Sequence, residues 1–254
     1  MKTRVLVVIG AWVVASAVVS ADSRIEYKAT EGGGSTLTTI LIGQGKIRSN
    51  ADQNMSVIID PVAANMTILD HSRKTFTRIG RTELKQMGDM MAQLEQAMAS
   101  IPPEMREKMM GRMGGMGGPQ AVTSATKERA TVGGKNCLIY RSMVNNQMTA
   151  EYCMADASAI DLPAADRATL TAAMAWSKEW TDTLAKSPIG RFADSSPFRD
   201  GQVPLRQTTI SGTTRRTSEF VSAGVATHEP GTFTVPADYK EQKIDTSGRG
   251  RGGF

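Results

Sequence analysis

The stretch MSVIIDPVAANMTILDHSRKTFTRIG, residues 55–80, contains three short apolar runs in close succession. Alternating and β-branched residues predict strands at 56–60, 66–70 and 75–79, and the proline, asparagine and aspartate residues between them predict turns. Connections this short leave no room for a crossover helix, so neighbouring strands must run antiparallel. This part of the chain therefore predicts an antiparallel meander.

The same pattern extends in both directions from this stretch. It predicts further strands at 24–28, 36–43, 46–50, 124–132, 136–143, 148–154, 203–210, 214–225 and 232–235. The total is about ten to twelve strands, and the short spacing again favours antiparallel pairing. Because the strand pattern runs through both halves of the chain, we expect a single α+β domain over residues 22–245.

A first helix is predicted from about residue 82 to 100. Its apolar residues recur at intervals of three and four, so they lie on one face of the helix: Leu84, Met87, Met91, Leu94, Met98 and Ile101. Nine of the sixteen methionines fall between Met87 and Met116, and we expect a methionine-rich helical insertion over about 82–119. Methionine is flexible and polarizable, and it recurs on surfaces that accommodate ligands of varied shape.

A second helix is predicted from about residue 163 to 186. Pro163 and the acidic Asp166 both suit the amino terminus of a helix. Its apolar stripe includes Trp176 and Trp180, one turn apart. These tryptophans suit either core packing against the sheet or the lining of a cavity, and both interpretations stay open at this point.

The amino-terminal residues 1–21 have the pattern of a secretory signal peptide. Lys2 and Arg4 precede an apolar run at 5–19 that ends in small residues. A membrane anchor is the alternative, but the run falls short of the roughly twenty residues that a spanning helix needs. We therefore expect cleavage before Asp22 and a soluble bacterial protein that is periplasmic or secreted, with no stable membrane span.

The charge balance argues against a nucleic-acid partner. The chain carries a formal net charge of +5, which becomes +3 without Lys2 and Arg4. No basic stripe with interleaved aromatic residues is found. The glycine- and arginine-rich residues 246–254 are expected to be a disordered tail.

Two cysteines, Cys137 and Cys153, lie in a predicted hairpin that turns near Asn145 and Asn146. With an odd number of loop residues they would face each other directly, whereas a two-residue turn would take them out of direct opposition. In an exported protein we expect a structural disulfide. A redox-active pair is the alternative, but the spacing lacks the Cys-x-x-Cys pattern.

Four short patterns carry a resemblance to a known group: Met55-Ser-Val-Ile-Ile-Asp60, Met66-Thr-Ile-Leu-Asp70, Lys74-Thr-Phe-Thr-Arg78 and Phe233-Thr-Val-Pro-Ala-Asp-Tyr-Lys240. Together they resemble a family of exported bacterial proteins of unknown function that has a LolA/LolB-like fold, over about residues 25–244. The resemblance implies an open antiparallel half-barrel covered by helices, with an apolar cavity between them. It also implies that the Phe-x-x-Pro-x-x-Tyr pattern forms a closing strand. It offers no catalytic residues.

The leading functional hypothesis is therefore the binding or transport of a hydrophobic small molecule or lipid. The residues expected to cover the cavity come from both helices: Met87, Met91, Leu94, Met98, Trp176 and Trp180. One alternative is a Cu(I)-binding protein, because thioether sulfur is a soft ligand and Met87-x-x-Met90 has close spacing, as does the run Met110, Met113, Met116. Another is a structural envelope protein whose interior is filled by its own side chains.

Enzyme chemistry is not expected. The sequence has no nucleophile elbow, no phosphate-binding loop and no zinc-binding helix motif. His71 and His228 have no second ligand at metal-binding spacing and are expected to be surface residues. We expect neither a cofactor nor a metal.

Overall fold

The computed structural model describes residues 22–50, 53–102, 105, 121–185 and 201–243. Within them the chain forms one twelve-stranded sheet and two long helices. The strands are β1 Ser23–Glu31, β2 Gly34–Gly43, β3 Lys46–Asn50, β4 Met55–Asp60, β5 Asn65–Asp70, β6 Thr75–Gly80, β7 Val122–Val132, β8 Lys135–Val144, β9 Gln147–Asp156, β10 Gln202–Ser211, β11 Thr214–Val225 and β12 Lys240–Glu241. The helices are α1 Arg81–Ala99 and α2 Ala164–Ala185. The predicted signal peptide and the 246–254 tail lie outside the described residues.

The order of strands in the sheet is β12-β6-β5-β4-β3-β2-β1-β11-β10-β9-β8-β7. Two antiparallel meanders, β1 to β6 and β7 to β11, are joined where β1 pairs with β11. The sheet is open, with β12 at one edge and β7 at the other. The predicted architecture, an open antiparallel sheet with helices, is confirmed.

The prediction of a closing strand at 232–235 was wrong. This segment turns instead, with hydrogen bonds from Thr234 N to Gly231 O and from Tyr239 N to Pro236 O. Pro236 lacks the N–H group that a ladder needs, which disfavours a strand here. The chain then adds β12 in parallel to β6, at the edge of the sheet. The Phe-x-x-Pro-x-x-Tyr pattern therefore forms turns, and the two residues after it extend the sheet without closing it.

Helix α1 follows β6 without a loop. The Glu83 carboxylate accepts a hydrogen bond from the Gly80 backbone N–H at 2.9 Å, which stabilises the free amino end of the helix. Leu84 is buried, and α1 contacts both β6 and α2. The guanidinium of Arg81 forms two 3.1 Å hydrogen bonds with Glu179 on α2. Most of the methionine-rich insertion beyond α1, at 103–104 and 106–120, lies outside the described residues.

Helix α2 lies over β2 and β3. It buries Leu170, Ala173, Met174 and Trp176, the face that its apolar periodicity predicts. The first three pack in the main core with side chains from the central strands, including Ile25, Ile42, Leu205 and Phe220.

The hairpin that contains the cysteines has a two-residue turn. Such a turn by itself would take Cys137 and Cys153 out of direct opposition. Asn145 and Asn146 both adopt positive φ, at 50° and 61°, as a tight hairpin turn requires. Close to the turn Met143 pairs with Met148, but beyond a bulge at Thr149 the register changes, and Ile139 pairs with Cys153. Cys137 lies two residues from Ile139, so the extra residue returns both cysteines to one face.

The predicted disulfide is confirmed. Cys137 and Cys153 are bonded across a diagonal of the hairpin, with their Cα atoms 5.2 Å apart. The two-residue turn, the second of the two alternatives, leaves the cysteines out of direct opposition, but diagonal neighbours on one face can still come within bonding range.

Candidate functional site

A cavity of about 290 Å³ lies between the concave face of the sheet and α2. Five central strands and β4 supply its walls, and α2 supplies its roof. The lining residues are Ile25, Tyr27, Thr38, Ile40, Ile47, Ser49, Ile59, Leu170, Ala173, Met174, Ser177, Val203, Pro204, Gln207 and Ser218. The cavity is therefore mainly apolar, as ligand pockets usually are.

The cavity changes in polarity from one end to the other. Its floor consists of buried apolar residues of the sheet, Ile25, Ile47 and Val203, and the roof residues Leu170, Ala173 and Met174 are buried and apolar too. Its mouth consists of half-buried polar residues: Thr38, Ser49, Ser177, Gln207 and Ser218. A ligand with an apolar body and a polar end would match both regions.

Strand register produces this change. On β1, Ile25 pairs with Ile40, whereas Tyr27, two residues later on the same face, pairs with Thr38. On the other side, Ala29 pairs with Ser218, which in turn pairs with Gln207. Cross-strand neighbours therefore become polar along β1 from its start towards its end.

Tyr27 forms part of the cavity wall between floor and mouth. Its hydroxyl donates a 3.1 Å hydrogen bond to the Pro204 carbonyl oxygen across the cavity. Burial raises the pKa of Tyr27 well above its usual value, so the phenol stays neutral at physiological pH. Its ring also makes an edge contact with Phe220, at 6.1 Å between centroids.

The two predicted tryptophans lie on α2 but not in the lining of this cavity. Trp176 is buried, and its ring centroid is 5.7 Å from that of Trp180 at an angle of 58°. The Trp176 indole Nε1 is buried and has no hydrogen-bond partner among the described residues. Their role in ligand binding stays a prediction.

The methionine face of α1 is described only in part. Met87 is half-buried and does not line the cavity. The backbone of Met91, Leu94 and Met98 belongs to α1, but their side chains lie outside the described part of the structure. Met110, Met113 and Met116, which the Cu(I) hypothesis needs, lie there too.

Both histidines, which the sequence predicts to be surface residues, are half-buried and hydrogen-bonded. His71 is half-buried, and its Nδ1 lies 2.7 Å from the Tyr239 hydroxyl while its Nε2 lies 2.9 Å from Ser56 Oγ. Ser56 Oγ also accepts a hydrogen bond from Arg48, at 3.1 Å. Burial lowers the pKa of Arg48, although the nearby Tyr239 opposes this effect. This polar chain holds the segment before β12 against the sheet.

His228 belongs to a second buried polar group. Its Nε2 lies 3.0 Å from the Ser23 carbonyl oxygen. The Ser23 hydroxyl donates a hydrogen bond to the Asp166 carboxyl group at the start of α2. Both Ser23 and Asp166 are buried. The arrangement ties three segments together near the floor of the cavity, and its serine hydroxyl contacts a carboxylate instead of the imidazole that a nucleophile would need.

Within residues 22–50, 53–102, 105, 121–185 and 201–243, no group of three or more His, Cys, Asp or Glu residues could hold a metal ion. Neither α1 nor α2 is long and apolar enough to cross a membrane.

No protein-family model and no curated protein sequence matches this chain. Among solved structures, PNGF-II in one crystal form is similar over 88% of this chain and 31% of its own length, at 11% identity and a TM-score of 0.41. MucB in complex with MucA(peri) is similar over 88% of this chain and 57% of its own, at 10% identity and a TM-score of 0.32.

LprF from Mycobacterium bovis is similar over 85% of this chain and 89% of its own, at 9% identity and a TM-score of 0.23. This chain spans about a third of the length of PNGF-II. At these scores the similarities carry no argument about function.

Proposed function

We propose that this protein binds a hydrophobic small molecule, or the acyl chain of a lipid, in the cavity between the sheet and α2, and that it acts by binding and not by catalysis. The observation that supports this proposal is the cavity itself, with its apolar floor and its volume of about 290 Å³. A void needs only about 10–15 Å³ to hold one water molecule, and well-packed interiors have few voids larger than that.

The cavity also weighs against the alternative of a structural protein with a filled interior. Ile40, Ile59 and Pro204 line the cavity and are only half-buried, so apolar surface there still faces water. A ligand that covers their apolar surface would gain about 25 cal/mol for each Å² removed from water. This gain must exceed the cost of ordering the ligand, which a largely preformed pocket keeps small.

The proposed place of action is outside the cytoplasm. The Cys137–Cys153 disulfide is the structural feature that supports it, because such bonds persist in oxidising compartments. The predicted signal peptide at residues 1–21 agrees with this proposal.

The test is a fluorescence titration with phenylnaphthylamine, an uncharged apolar dye that brightens in apolar surroundings. We expect saturable binding to the wild-type protein. Ser177→Phe places a ring at the mouth of the cavity and should weaken binding about tenfold, which corresponds to 1.4 kcal/mol. Ala172→Phe introduces the same ring at an exposed position of α2 outside the cavity lining, so it is the matched control.

The result that would overturn the proposal is a wild-type protein that fails to bind the dye saturably, or binds it equally well as Ser177→Phe. Melting curves of both variants should show that each is folded. Native mass spectrometry of protein purified from its natural compartment would then identify a retained ligand, and an added copper mass would instead favour the methionine-based alternative.

A further inference from the structure

We infer that the cavity selects a single-chain ligand whose head group is polar but uncharged, such as a monoacylglycerol or a fatty amide, over a free fatty acid. This inference rests on the proposed function, because it describes the ligand that the same cavity would take. It is carried by the composition and surroundings of the mouth.

The mouth offers hydrogen bonds without charge. Its groups are the hydroxyls of Thr38, Ser49, Ser177 and Ser218 and the amide of Gln207, and none of the residues lining the cavity is ionised at neutral pH. Within the described part of the chain, the side chains of Ser49, Ser177 and Gln207 form no hydrogen bond. Hydroxyl and amide groups both donate and accept, so they can pair with an ester, amide or hydroxyl of the ligand.

Two cations next to mouth residues in sequence, Arg48 and Arg206, are engaged elsewhere, and Lys178, which follows Ser177, is not among the residues that line the cavity. Arg48 precedes Ser49, but its guanidinium donates to Thr232 O at 2.8 Å and to Ser56 Oγ, on the side of β3 away from the cavity. Arg206 precedes Gln207, and its guanidinium lies 3.6 Å from the Glu151 carboxylate. Neighbouring strand residues point to opposite faces, which explains why these charges do not reach the mouth.

No residue that lines the cavity carries a positive charge, so a carboxylate at the mouth would lose hydration without gaining a cation from the lining. Burying an ionised group without a partner of opposite charge is far more costly than burying a hydroxyl or an amide that finds a hydrogen bond. The neutral head group loses less hydration and can recover its hydrogen bonds from Gln207 and Ser49. The mouth thus discriminates between ligands that share the same acyl chain.

The size of the cavity limits the number of acyl chains that the ligand can have. A volume of about 290 Å³ lies at the lower end of the roughly 300–1,000 Å³ found for small-molecule pockets. The roof residues Leu170, Ala173 and Met174 are buried against it. This space fits one acyl chain beneath α2. The floor offers only apolar side chains for that acyl chain to contact.

The experiment compares monodecanoylglycerol with decanoate as competitors for bound phenylnaphthylamine. At about pH 8 decanoate is ionised, because carboxyl groups have ordinary pKa values near 4. We expect the glyceride to displace the dye at a concentration at least about tenfold lower, a difference of 1.4 kcal/mol in binding. Equal or tighter binding of decanoate would overturn the inference.

Variants at the mouth separate head-group recognition from the general preference of any apolar site for uncharged molecules. Gln207→Leu should weaken binding of the glyceride about fivefold relative to binding of the dye, which has no such head group. Gln207→Lys should reduce or reverse the preference for the glyceride by supplying a cation for decanoate. Should Gln207→Leu fail to fold, Ser49→Ala tests the other proposed head-group contact.

The outcomes distinguish the two proposals. Loss of saturable dye binding by the wild-type protein would contradict the proposed function and this inference together. Dye binding that the glyceride fails to displace, or glyceride binding that is indifferent to Gln207→Leu and Ser49→Ala, would overturn the inference alone.

Discussion

The hydroxyl of Ser23 donates a hydrogen bond to the buried carboxyl group of Asp166, which joins the first residue of β1 to the first turn of α2. Burial raises the pKa of Asp166, and the nearby Asp22 adds to this effect, while Ser23 and His228 oppose it. This hydrogen bond therefore holds the amino-terminal end of α2, the roof of the cavity, against the sheet. The mouth lies further along α2, at Ser177.

The Asp166 carboxyl predicts a particular pH dependence of stability. Because its folded-state pKa is raised, the stabilisation from its bound proton is complete below the unfolded pKa and is lost as pH rises through the folded pKa. Asp166→Asn removes this titration. We expect the wild-type Tm, relative to that of Asp166→Asn, to fall as pH rises above about 3.9, the ordinary pKa of aspartate, with each 1 kcal/mol shifting Tm by about 2–4 °C.

Asp161→Asn is the matched control for this experiment. Asp161 is exposed, and its hydrogen bond with Lys135 lowers the pKa of its carboxyl group. The linkage then has the opposite sign, because the stabilisation is present above the unfolded pKa and is lost as pH falls. A pH-independent difference between wild type and Asp166→Asn, measured by thermal melting, would contradict the assignment.

The strands were predictable from sequence because each is short, alternates in polarity and ends in turn residues. At 56–60, 66–70 and 75–79 the prediction and the observed β4, β5 and β6 agree to within one residue at each end. This local pattern is independent of the partner strand. At 232–235 the local pattern is misleading. The β-branched residues there suit a strand, but the adjacent Pro236 has no N–H group to donate to a neighbouring strand.

The cavity residues were not predicted, and the reason is geometric. Ile25, Ile47 and Val203 come from strands far apart in sequence, and register alone brings them beneath α2. The chemistry and helical spacing of the methionines and tryptophans predict an apolar helix face. They do not predict what that face contacts. The hydrogen bond of His71 could not be predicted from the local sequence either, because its partner Tyr239 is 168 residues away.

Gly43 tests the close contact between the sheet and the carboxyl-terminal segment. A Cβ atom added there would lie 2.5 Å from Oδ1 of Asp22 and 2.7 Å from Cε2 of the buried Phe233 ring. We expect Gly43→Ala to cost about 1–3 kcal/mol in the free energy of unfolding, measured by urea denaturation. Gly224→Ala is the control, because its Cβ would meet no atom within 4 Å. Equal stability of the two variants would show that Phe233 moves aside freely.

The bulge at Thr149 makes the disulfide possible, and its removal tests this. Deleting Thr149 would let the register set by the Asn145-Asn146 turn continue, which places Cys137 and Cys153 on opposite faces of the hairpin. We expect two titratable thiols in the unfolded deletion variant and none in the wild type. Loss of the bridge should cost about 3 kcal/mol, as the chain-entropy model gives for a loop of about 15 residues.

Thr149→Gly keeps the length of the strand and is the control for that deletion. It should retain the bulge, the register and the disulfide, since only the side chain is lost. Its expected mass is that of the polypeptide less two hydrogens, with no free thiol. A deletion variant that still forms the Cys137–Cys153 bond would contradict the role of the bulge.

Tyr239→Phe tests how β12 is held at the edge of the sheet. The substitution removes the hydroxyl that lies 2.7 Å from His71 Nδ1, and it keeps the ring that packs edge-on against the imidazole at 5.9 Å. A typical hydrogen bond contributes about 1 kcal/mol, and leaving a buried imidazole nitrogen unpaired adds to the loss. Local opening of this edge should therefore become several times more frequent.

Hydrogen exchange measures that opening at two defined amides. Lys240 N donates to Lys74 O at 3.0 Å and Gln242 N donates to Phe76 O at 2.7 Å, so both report on the β12–β6 pairing. In Tyr239→Phe we expect both amides to exchange about fivefold faster, while amides between β1 and β2 keep their wild-type rates. Asp238→Asn removes only the exposed ion pair with Lys74 and should change these rates little. Equal acceleration by both variants would place the anchor of β12 in that ion pair and not in the His71–Tyr239 hydrogen bond.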